Sequence, residues 1–365
     1  MRRLLAFSLL ASSLTFVATP ALAATCSPSE TTVGSQKVLT FTSVGNCDWQ
    51  SPVGVTSLRV LVVGGGGAGG GGLRTVYFGN GGGGGEVKDS TVSITSGAIL
   101  AVTVGAGGVG TNHNADSTSV NNGQSSSFGS MTANGGTSTA DRNSRTGGTS
   151  GSLKIGGTGV NTVVEGGGGG GAGANGSSRN GGAGVSSDIT GLATQYGGGG
   201  ASMGKDGNQS QYGTASGGGG VPQTVDTNQR GNGTANTGGG GGGDNGAAGG
   251  GAGGSGVVIV RYTPTVPTNP SSFSSSESVA NTVTVTITAP NDGGSPIINY
   301  QYSFDEVNWF DYSPATGPGD VTLTFDTSGR VFAPTAADVF SAGDELLFVA
   351  SAAAEDQIKD CFIKS

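Results

Sequence analysis

The chain has 365 residues, of which 76 are glycine, while 11% are charged and 6% are aromatic, and its formal net charge is −8. This length suits two domains, and the share of glycine is about three times the average. The negative charge disfavours binding to the phosphate backbone of nucleic acid or to an anionic membrane surface. The scarcity of aromatic residues excludes a large conventional core built from them.

The N-terminus has the pattern of an export signal. Arg2 and Arg3 precede an apolar stretch over residues 4–17, and Ala21-Leu22-Ala23 forms an A-x-A cleavage pattern. This predicts a secretory signal peptide over residues 1–23, since the apolar stretch is shorter than the roughly 18 residues of a membrane span. We therefore expect a secreted, extracellular protein without a membrane span after signal removal, either released or held at the cell surface by non-covalent contacts.

Three cysteines and one histidine limit the covalent and metal chemistry. Cys26 and Cys47 follow the cleavage site closely and can form a disulfide after export. Cys361 is then left free or pairs with another molecule. Three cysteines and the single histidine, His113, disfavour a zinc site, so no metal and no cofactor are predicted.

Strand signals surround a long glycine-rich region. Residues 38–41 and 55–63 are rich in β-branched and apolar side chains, and the second stretch runs directly into glycine at Gly64. Residues 91–94 and 99–104 flank Ser96-Gly97, which predicts a hairpin. Residues 257–262 close the region with a further strand. Because strands stand at both ends, we expect 55–63 and 257–262 to pair and hold the region together.

Glycine runs between these strands admit three interpretations. A disordered linker is the simplest, and collagen is excluded because there is no strict G-X-Y period. The third is a lattice of left-handed helices with three residues per turn, which lack internal hydrogen bonds. Only glycine lets such helices approach closely enough to bond each other's backbones. The connecting segments then emerge at the two ends of the bundle, where loops are free to vary and bind.

Four stretches carry a family resemblance: "GVTSLRVLVVGGGGAGGGG" at 54–72, "ILAVTVGAGG" at 99–108, "SSFG" at 126–129 and "GGAGGSGVVIVRY" at 250–262. They resemble the glycine-rich domain of bacterial and phage surface proteins, similar to the tips of phage tail-fibre adhesins. The resemblance implies a β clasp around packed polyglycine II helices, with receptor recognition in variable loops. It implies a display scaffold and no enzymatic activity.

The C-terminal part has a different composition. Pro264, Pro267 and Pro270 mark a stiff linker. Strands are predicted at 283–287, 297–304, 321–325 and 346–350, with a turn at 291–296 and a weak last strand near 358–363. The stretch "VTVTITAPNDGGSPIINYQYSFDEVNWF" at 283–310 resembles bacterial fibronectin type III modules, which implies a β-sandwich.

The predicted fold is therefore all-β. The expected organisation is a signal peptide at 1–23, a glycine-rich β/polyglycine domain at 24–262, a proline-rich linker at 263–270 and a fibronectin type III-like domain at 271–365.

Catalytic patterns are weak. The GxGxxG patterns lack a strand, a helix and a following acidic residue in the right places, and His113 lies in a polar stretch that does not favour a catalytic triad. The acidic residues of the glycine-rich region are single and scattered. An enzyme is not expected; the alternative, a glycoside hydrolase, would use carboxylates such as Glu165 and Asp188.

Four aromatic residues beside glycine runs are the candidate ligand contacts: Tyr77, Phe78, Tyr196 and Tyr212. Exposed aromatic rings on loops can stack on sugars or fill partner pockets, but they can equally cover the ends of the lattice. The favoured function is adhesion or recognition, with a surface glycan or protein as partner. The alternative is a non-binding structural component of the cell envelope or extracellular matrix.

Overall fold

The structure is a computed structural model, and every regular element in its described residues is a β-strand. It describes residues 24–71, 79–111, 121–139, 145–159, 165–203, 212–222, 231–244 and 249–265, followed by 273–279, 282–288, 293–294, 297, 299–303, 308–312, 321–326 and 348–350. The strands of the first part are β1 Ser29–Val33, β2 Gln36–Phe41, β3 Gly45–Gln50, β4 Ser57–Val63, β5 Val87–Ser93, β6 Ile99–Val104, β7 Ser126–Phe128, β8 Met131–Ala133, β9 Val185–Ser187, β10 Thr194–Tyr196 and β11 Val257–Tyr262.

A five-stranded antiparallel sheet joins the two ends of the glycine-rich region. Its order is β1-β2-β11-β4-β5, so β11 lies between β2 and β4. Val63 at the end of β4 faces Val257 at the start of β11, and the pairing continues to Arg59 and Arg261. The pairing expected between 55–63 and 257–262 is confirmed.

The predicted hairpin around Ser96-Gly97 is wrong. Strand β5 pairs with β4 in the five-stranded sheet, whereas β6 pairs with β3 in a second, four-stranded sheet of order β3-β6-β7-β8. The bond from Ala98 N–H to Thr95 O (3.1 Å) closes a turn that leads from one sheet to the other. The physical reason is that β6 already has a neighbour at each edge, β3 on one side and β7 on the other, so no edge remains for β5.

The two sheets share a hydrophobic core. Strand β4 supplies Leu58, Val60 and Val62, and β11 supplies Val258 and Val260. The rings of Phe41 and Phe128 both pack against Trp49, with centroids 6.3 and 5.9 Å from that of Trp49. Because successive side chains of a strand alternate between faces, other residues of the central strands form a second cluster on the opposite face, which Ile189 and Tyr196 from the β9–β10 hairpin complete. The strand residues are Val38, Leu61, Val63, Val257 and Ile259.

The N-terminal segment is tied to the four-stranded sheet. Cys26 and Cys47 form the predicted disulfide, with 21 residues of sequence separation. Backbone bonds of 3.0 Å from Cys26 N–H to Asp48 O and from Asp48 N–H to Ala24 O reinforce the junction. The closed loop contains β1 and β2, so the bridge restrains the edge of the larger sheet.

Beyond the sheets, the glycine runs bond to one another with a period of three residues. In the run 64–71, which continues β4, successive N–H groups donate to three different neighbouring runs, and each neighbour is met again three residues later. The bonds join Gly64, Gly67 and Gly70 to Glu86, Gly83 and Asn80; Gly65 and Ala68 to Gln124 and Asn121; and Gly66 and Gly69 to Gly254 and Gly251.

The carbonyl groups of the same run accept from three further runs. Gly65 O accepts from Gly136, Gly66 O from Gly108, and Gly67 O and Gly70 O from Gly241 and Asp244. The run 64–71 is therefore surrounded by six others. A Cβ atom placed on Gly66 would overlap the carbonyl of Gly239, so the close approach requires glycine there.

Peripheral runs carry side chains on their outer side. In the run 155–159, Ile155 and Thr158 are exposed and three residues apart, whereas Gly156, Gly157 and Gly159 are buried. One residue in three of such a run faces outward, which explains why the peripheral segments are polar and mixed while the central runs are almost pure glycine.

The C-terminal part contains two further antiparallel sheets. Its strands are β12 Phe273–Val279, β13 Thr282–Ile287, β14 Gln301–Ser303, β15 Trp309–Asp311, β16 Val321–Asp326 and β17 Phe348–Ala350. The sheets have the orders β12-β13-β16 and β15-β14-β17. The predicted strands at 283–287 and 321–325 correspond to β13 and β16. The stretch predicted at 297–304 contains β14, and that at 346–350 contains β17. Residues 298, 304 and 346–347 and the expected strand at 358–363 lie outside the described residues.

Candidate functional site

The described residues that bound seven segments of the sequence converge at one end of the glycine array. These segments are 72–78, 112–120, 140–144, 160–164, 204–211, 223–230 and 245–248, all outside the described residues. We call this end of the glycine array, where the residues that flank the seven segments lie, the loop end. The sheets lie at the other end of the runs.

Backbone bonds place the flanks of two segments side by side. Gly70 N–H donates to Asn80 O (2.8 Å) across the base of 72–78. Asp244, which precedes 245–248, donates its N–H to Gly70 O (3.0 Å), and its own carbonyl accepts from Gly79 (3.3 Å). The residues that flank 72–78 and 245–248 therefore lie next to each other.

Hydroxyl and amide groups connect the flanks of further segments to these. The hydroxyl of Thr111, before 112–120, donates to Gly69 O and accepts from Gly250 N–H, both at 3.1 Å. Gly167, just after 160–164, donates its N–H to Oδ1 of Asn80 (2.8 Å). The hydroxyl of Ser202, before 204–211, donates to Gly166 O.

Backbone hydrogen bonds between runs link the residues that flank the remaining segments. Gly159 N–H donates to Arg145 O (3.0 Å), which joins the flanks of 140–144 and 160–164. Gly242 N–H donates to Gly231 O (2.7 Å), which brings the end of 223–230 beside the run that leads into 245–248. All seven segments are consequently anchored on one surface.

Buried polar side chains close the array at this end. They are Asn80, Thr111, Glu165, Ser202 and Asp244, each at most 9% exposed. Where a glycine run stops, its last N–H and C=O groups lose their lattice partners, and a buried unpaired backbone group is costly. Four of these side chains, those of Asn80, Thr111, Ser202 and Asp244, supply such partners to backbone groups. The sequence signal of this role, which is absent from the predicted sites, is a lone polar residue directly beside a glycine run.

Asparagine before glycine produces a recurring two-bond arrangement that we call the amide bracket. The asparagine Oδ1 accepts from the N–H of one residue on a neighbouring run, and the following glycine donates its own N–H to the carbonyl of that same residue. The asparagine amide thus takes the place of a peptide group. Four pairs form it: Asn80-Gly81 with Gly167, Asn175-Gly176 with Ile155, Asn180-Gly181 with Thr214, and Asn232-Gly233 with Ala252.

Two predicted ligand-binding residues, Tyr77 and Phe78, lie outside the described residues, as does His113. Tyr212 is described; it is half-buried and follows segment 204–211 at the loop end.

Tyr196 was expected on an exposed loop, and the structure corrects that placement. Tyr196 ends β10 and packs in the second core cluster with 5% of its surface exposed. Burial also raises the pKa of its hydroxyl. The reason is that β10 lies against the five-stranded sheet, where the ring fills space beside Ile189 and Val257.

The two carboxylates named for the enzymatic alternative are not brought together. Glu165 lies at the loop end beside Arg179, with 3.4 Å between Oε1 and Nη1. Asp188 lies at the sheet end and contacts Arg59, with 2.6 Å between Oδ1 and Nη2.

Arg59 also binds Asp89 through two hydrogen bonds of 2.8 and 3.0 Å, so the acidic residues at the sheet end form a structural network. Ser187 adds a 2.6 Å hydrogen bond to Asp89 Oδ2. Burial acts to raise the pKa of Asp89, but the hydrogen bonds from Arg59 and Ser187 outweigh it and hold the pKa below its ordinary value. The pKa of Asp188 is lowered by its hydrogen bond to Arg59. The network holds the β9–β10 loop to the five-stranded sheet.

Within the described part of the protein, three or more histidine, cysteine, aspartate or glutamate residues do not gather anywhere as a set of metal ligands. No helix in that same part is long and apolar enough to cross a membrane.

Comparison with known proteins identifies a family. No curated protein matches the sequence. The family model described as a glycine-rich domain matches residues 42–263, which is more than half of the sequence and includes β4, β11 and the whole array between them. The chain therefore belongs to the glycine-rich domain family.

Proposed function

We propose that this protein is an extracellular recognition protein whose glycine runs are polyglycine II helices that form a rigid scaffold for binding segments. The observation that carries the proposal is the period-three bonding of the runs combined with the anchoring of seven segments at one end. A surface glycan or protein is the expected partner.

The bonding pattern supports the polyglycine II assignment. A three-residue turn without internal hydrogen bonds directs its N–H and C=O groups outward at intervals of a third of a turn. The run 64–71 donates to three neighbours and accepts from three others, as such a helix does in a hexagonal bundle. A disordered linker would give no fixed partners of this kind.

The anchoring supports the recognition role. Binding residues concentrate on loops that a rigid scaffold positions, and seven segments share the loop end. Residues at that end hold the base of each segment through buried hydrogen bonds, so segment sequences can vary without loss of lattice contacts. Tyr77, Phe78 and Tyr212 belong to this end by sequence position and remain our candidate ligand contacts.

Hydrogen exchange of the intact protein tests the scaffold. We expect the amides of 167–170 and 240–243 to be protected to nearly the same degree as those of β4 and β11, because each donates to a group on a neighbouring segment. Exchange of these glycine amides at the rate of an unfolded polypeptide would remove the scaffold from the proposal.

Binding assays test the function itself. We expect the purified mature protein to bind members of a glycan array or a panel of surface proteins, and the pair of changes Tyr77→Ala and Phe78→Ala to weaken that binding. The control is Ile99→Ala, which changes an exposed residue of β6 at the sheet end. Equal binding by both variants would contradict the role of the loop end, and a protein that binds nothing supports a purely structural component.

Export and the C-terminal part complete the proposal. Edman sequencing of protein recovered from the medium is expected to begin at Ala24, because the A-x-A pattern ends at Ala23. The two three-stranded antiparallel sheets of the C-terminal part suit a fibronectin type III-like β-sandwich that spaces the glycine-rich domain from its point of attachment.

A further inference from the structure

Seven asparagines in the sequence are followed by glycine, at positions 80, 122, 134, 175, 180, 232 and 245. Asparagine is a chemically labile residue, and a following glycine makes it most reactive because no side chain shields the backbone nitrogen. In the reaction, that nitrogen attacks the side-chain amide of the asparagine. Any hydrogen bond that holds either group in place therefore slows it.

The fold engages both groups in five of the six pairs that the structure describes. Four pairs are held in amide brackets, in which Oδ1 and the glycine N–H bind the same neighbouring residue. The fifth is similarly restrained, since Oδ1 of Asn122 accepts from Ser138 N–H (2.8 Å) and Gly123 N–H donates to Gly136 O (2.9 Å).

Asn134-Gly135 differs from the other described pairs. The Asn134 side chain is exposed and makes no hydrogen bond to any described residue, and the N–H of Gly135 makes none to them either. Only the backbone of Asn134 is held, with its N–H on Oε2 of Glu86 (2.9 Å) and its carbonyl accepting from Glu86 N–H (2.8 Å).

We propose that Asn134 is a site of spontaneous deamidation in the folded protein, and that the brackets protect the other described Asn-Gly pairs for as long as the array stays folded. The Gly135 nitrogen loses its proton and attacks Cγ of Asn134, so that a new C–N bond forms. The bond between Cγ and Nδ2 then breaks and releases ammonia. One water opens the resulting succinimide to aspartate or isoaspartate, without oxidation or reduction.

The product places a second carboxylate beside one that is already present. Oε2 of Glu86 accepts the N–H of residue 134, and two neighbouring carboxylates repel each other. The ammonium group of Lys88 is 3.5 Å from Oε1 of Glu86, but it also donates to Thr132 O (2.6 Å), which holds it in place. An isoaspartate also adds a methylene group to the backbone, which disturbs the three-residue period of the run 134–139. Conversion is therefore expected to loosen this run and the adjoining run 79–85.

Peptide mapping of the intact protein tests the proposal. The full mature protein is incubated at mildly alkaline pH, once folded and once in concentrated urea, and conversion at each pair is followed by mass spectrometry with fragmentation that identifies isoaspartate. We expect Asn134 to convert several-fold faster than the other five in the folded protein, and all six to convert at comparable rates in urea. Conversion of a bracketed pair as fast as Asn134 in the folded protein overturns the proposal.

Variants at Asn134 separate the deamidation reaction from its effect on stability. Asn134→Gln removes the reactive pair without loss of a hydrogen bond to a described residue, so the fast conversion should disappear and the urea midpoint should stay unchanged. Asn134→Asp mimics one product and should lower the urea midpoint; adding Glu86→Gln should restore part of the loss, because the repulsion is gone. A wild-type midpoint for Asn134→Asp contradicts the predicted loosening.

Discussion

Val60 and Val260 face each other in adjacent antiparallel strands, although nearly the whole glycine-rich region lies between them in the sequence. Both are fully buried in the core between the two sheets. The region therefore leaves and re-enters the same sheet at neighbouring positions, and the array is a long insertion between two paired strands.

Glycine in the central runs should be irreplaceable. We expect Gly66→Ala to destabilise the protein by about 3 kcal/mol or more, because the added Cβ would overlap backbone atoms of Gly239 and Gly240, which cannot move as a flexible side chain would. Chemical denaturation measures the change. The control is Gly34→Asn, at a positive φ of 61° with open space around it, where asparagine is tolerated; an equal loss there would contradict the argument.

The amide bracket at the loop end should contribute to stability. Asn80→Ala leaves the N–H of Gly167 buried without its acceptor, which costs about 1–3 kcal/mol. Asn134→Ala is the matched control, since that side chain makes no hydrogen bond to a described residue, and it should be close to neutral. Amide exchange at Gly167 checks the local effect, and an unchanged protection factor in Asn80→Ala would count against it.

The Arg59 network predicts a pH dependence with a definite sign. The pKa of Asp89 in the folded state lies below its ordinary value of 3.8, so its contribution to stability is present above that pH and is lost as the pH falls through the folded value. We expect Asp89→Asn to lower the urea midpoint at pH 7, and the difference from the wild type to shrink below pH 3.8. Glu30→Gln removes the exposed carboxylate of a single ion pair with Lys37 and should have little effect at either pH.

The disulfide should stabilise the sheet end. Its sequence separation of 21 residues corresponds to about 3 kcal/mol in the chain-entropy model. We expect the double change Cys26→Ser and Cys47→Ser to lower the thermal midpoint, and a reducing agent to lower that of the wild type but not that of the variant. A reductant effect of equal size in both would assign it to another cause.

Sequence patterns predicted the strands where side chains alternate or run apolar, and β6 and β11 begin and end as expected. Their pairing was harder, because the hairpin signal at Ser96-Gly97 concerns only the local turn, whereas the partners β3 and β4 come from elsewhere in the sequence. The burial of Tyr196 could not be predicted either, because the residues that cover its ring also come from elsewhere in the sequence. A glycine run has no side-chain pattern at all, so which runs are neighbours could not be read from it; the asparagines that hold run ends were visible only as turn-forming residues.

The repeat of lattice partners at every third position has a consequence for how such proteins can change in length. One residue added inside the run 64–71 would rotate every later N–H by a third of a turn and direct it at the wrong neighbour, whereas three added residues would restore the directions. The lengths of the segments at the loop end are not restricted to such multiples. Insertions and deletions of any size should accumulate there, and length differences within runs should come in multiples of three.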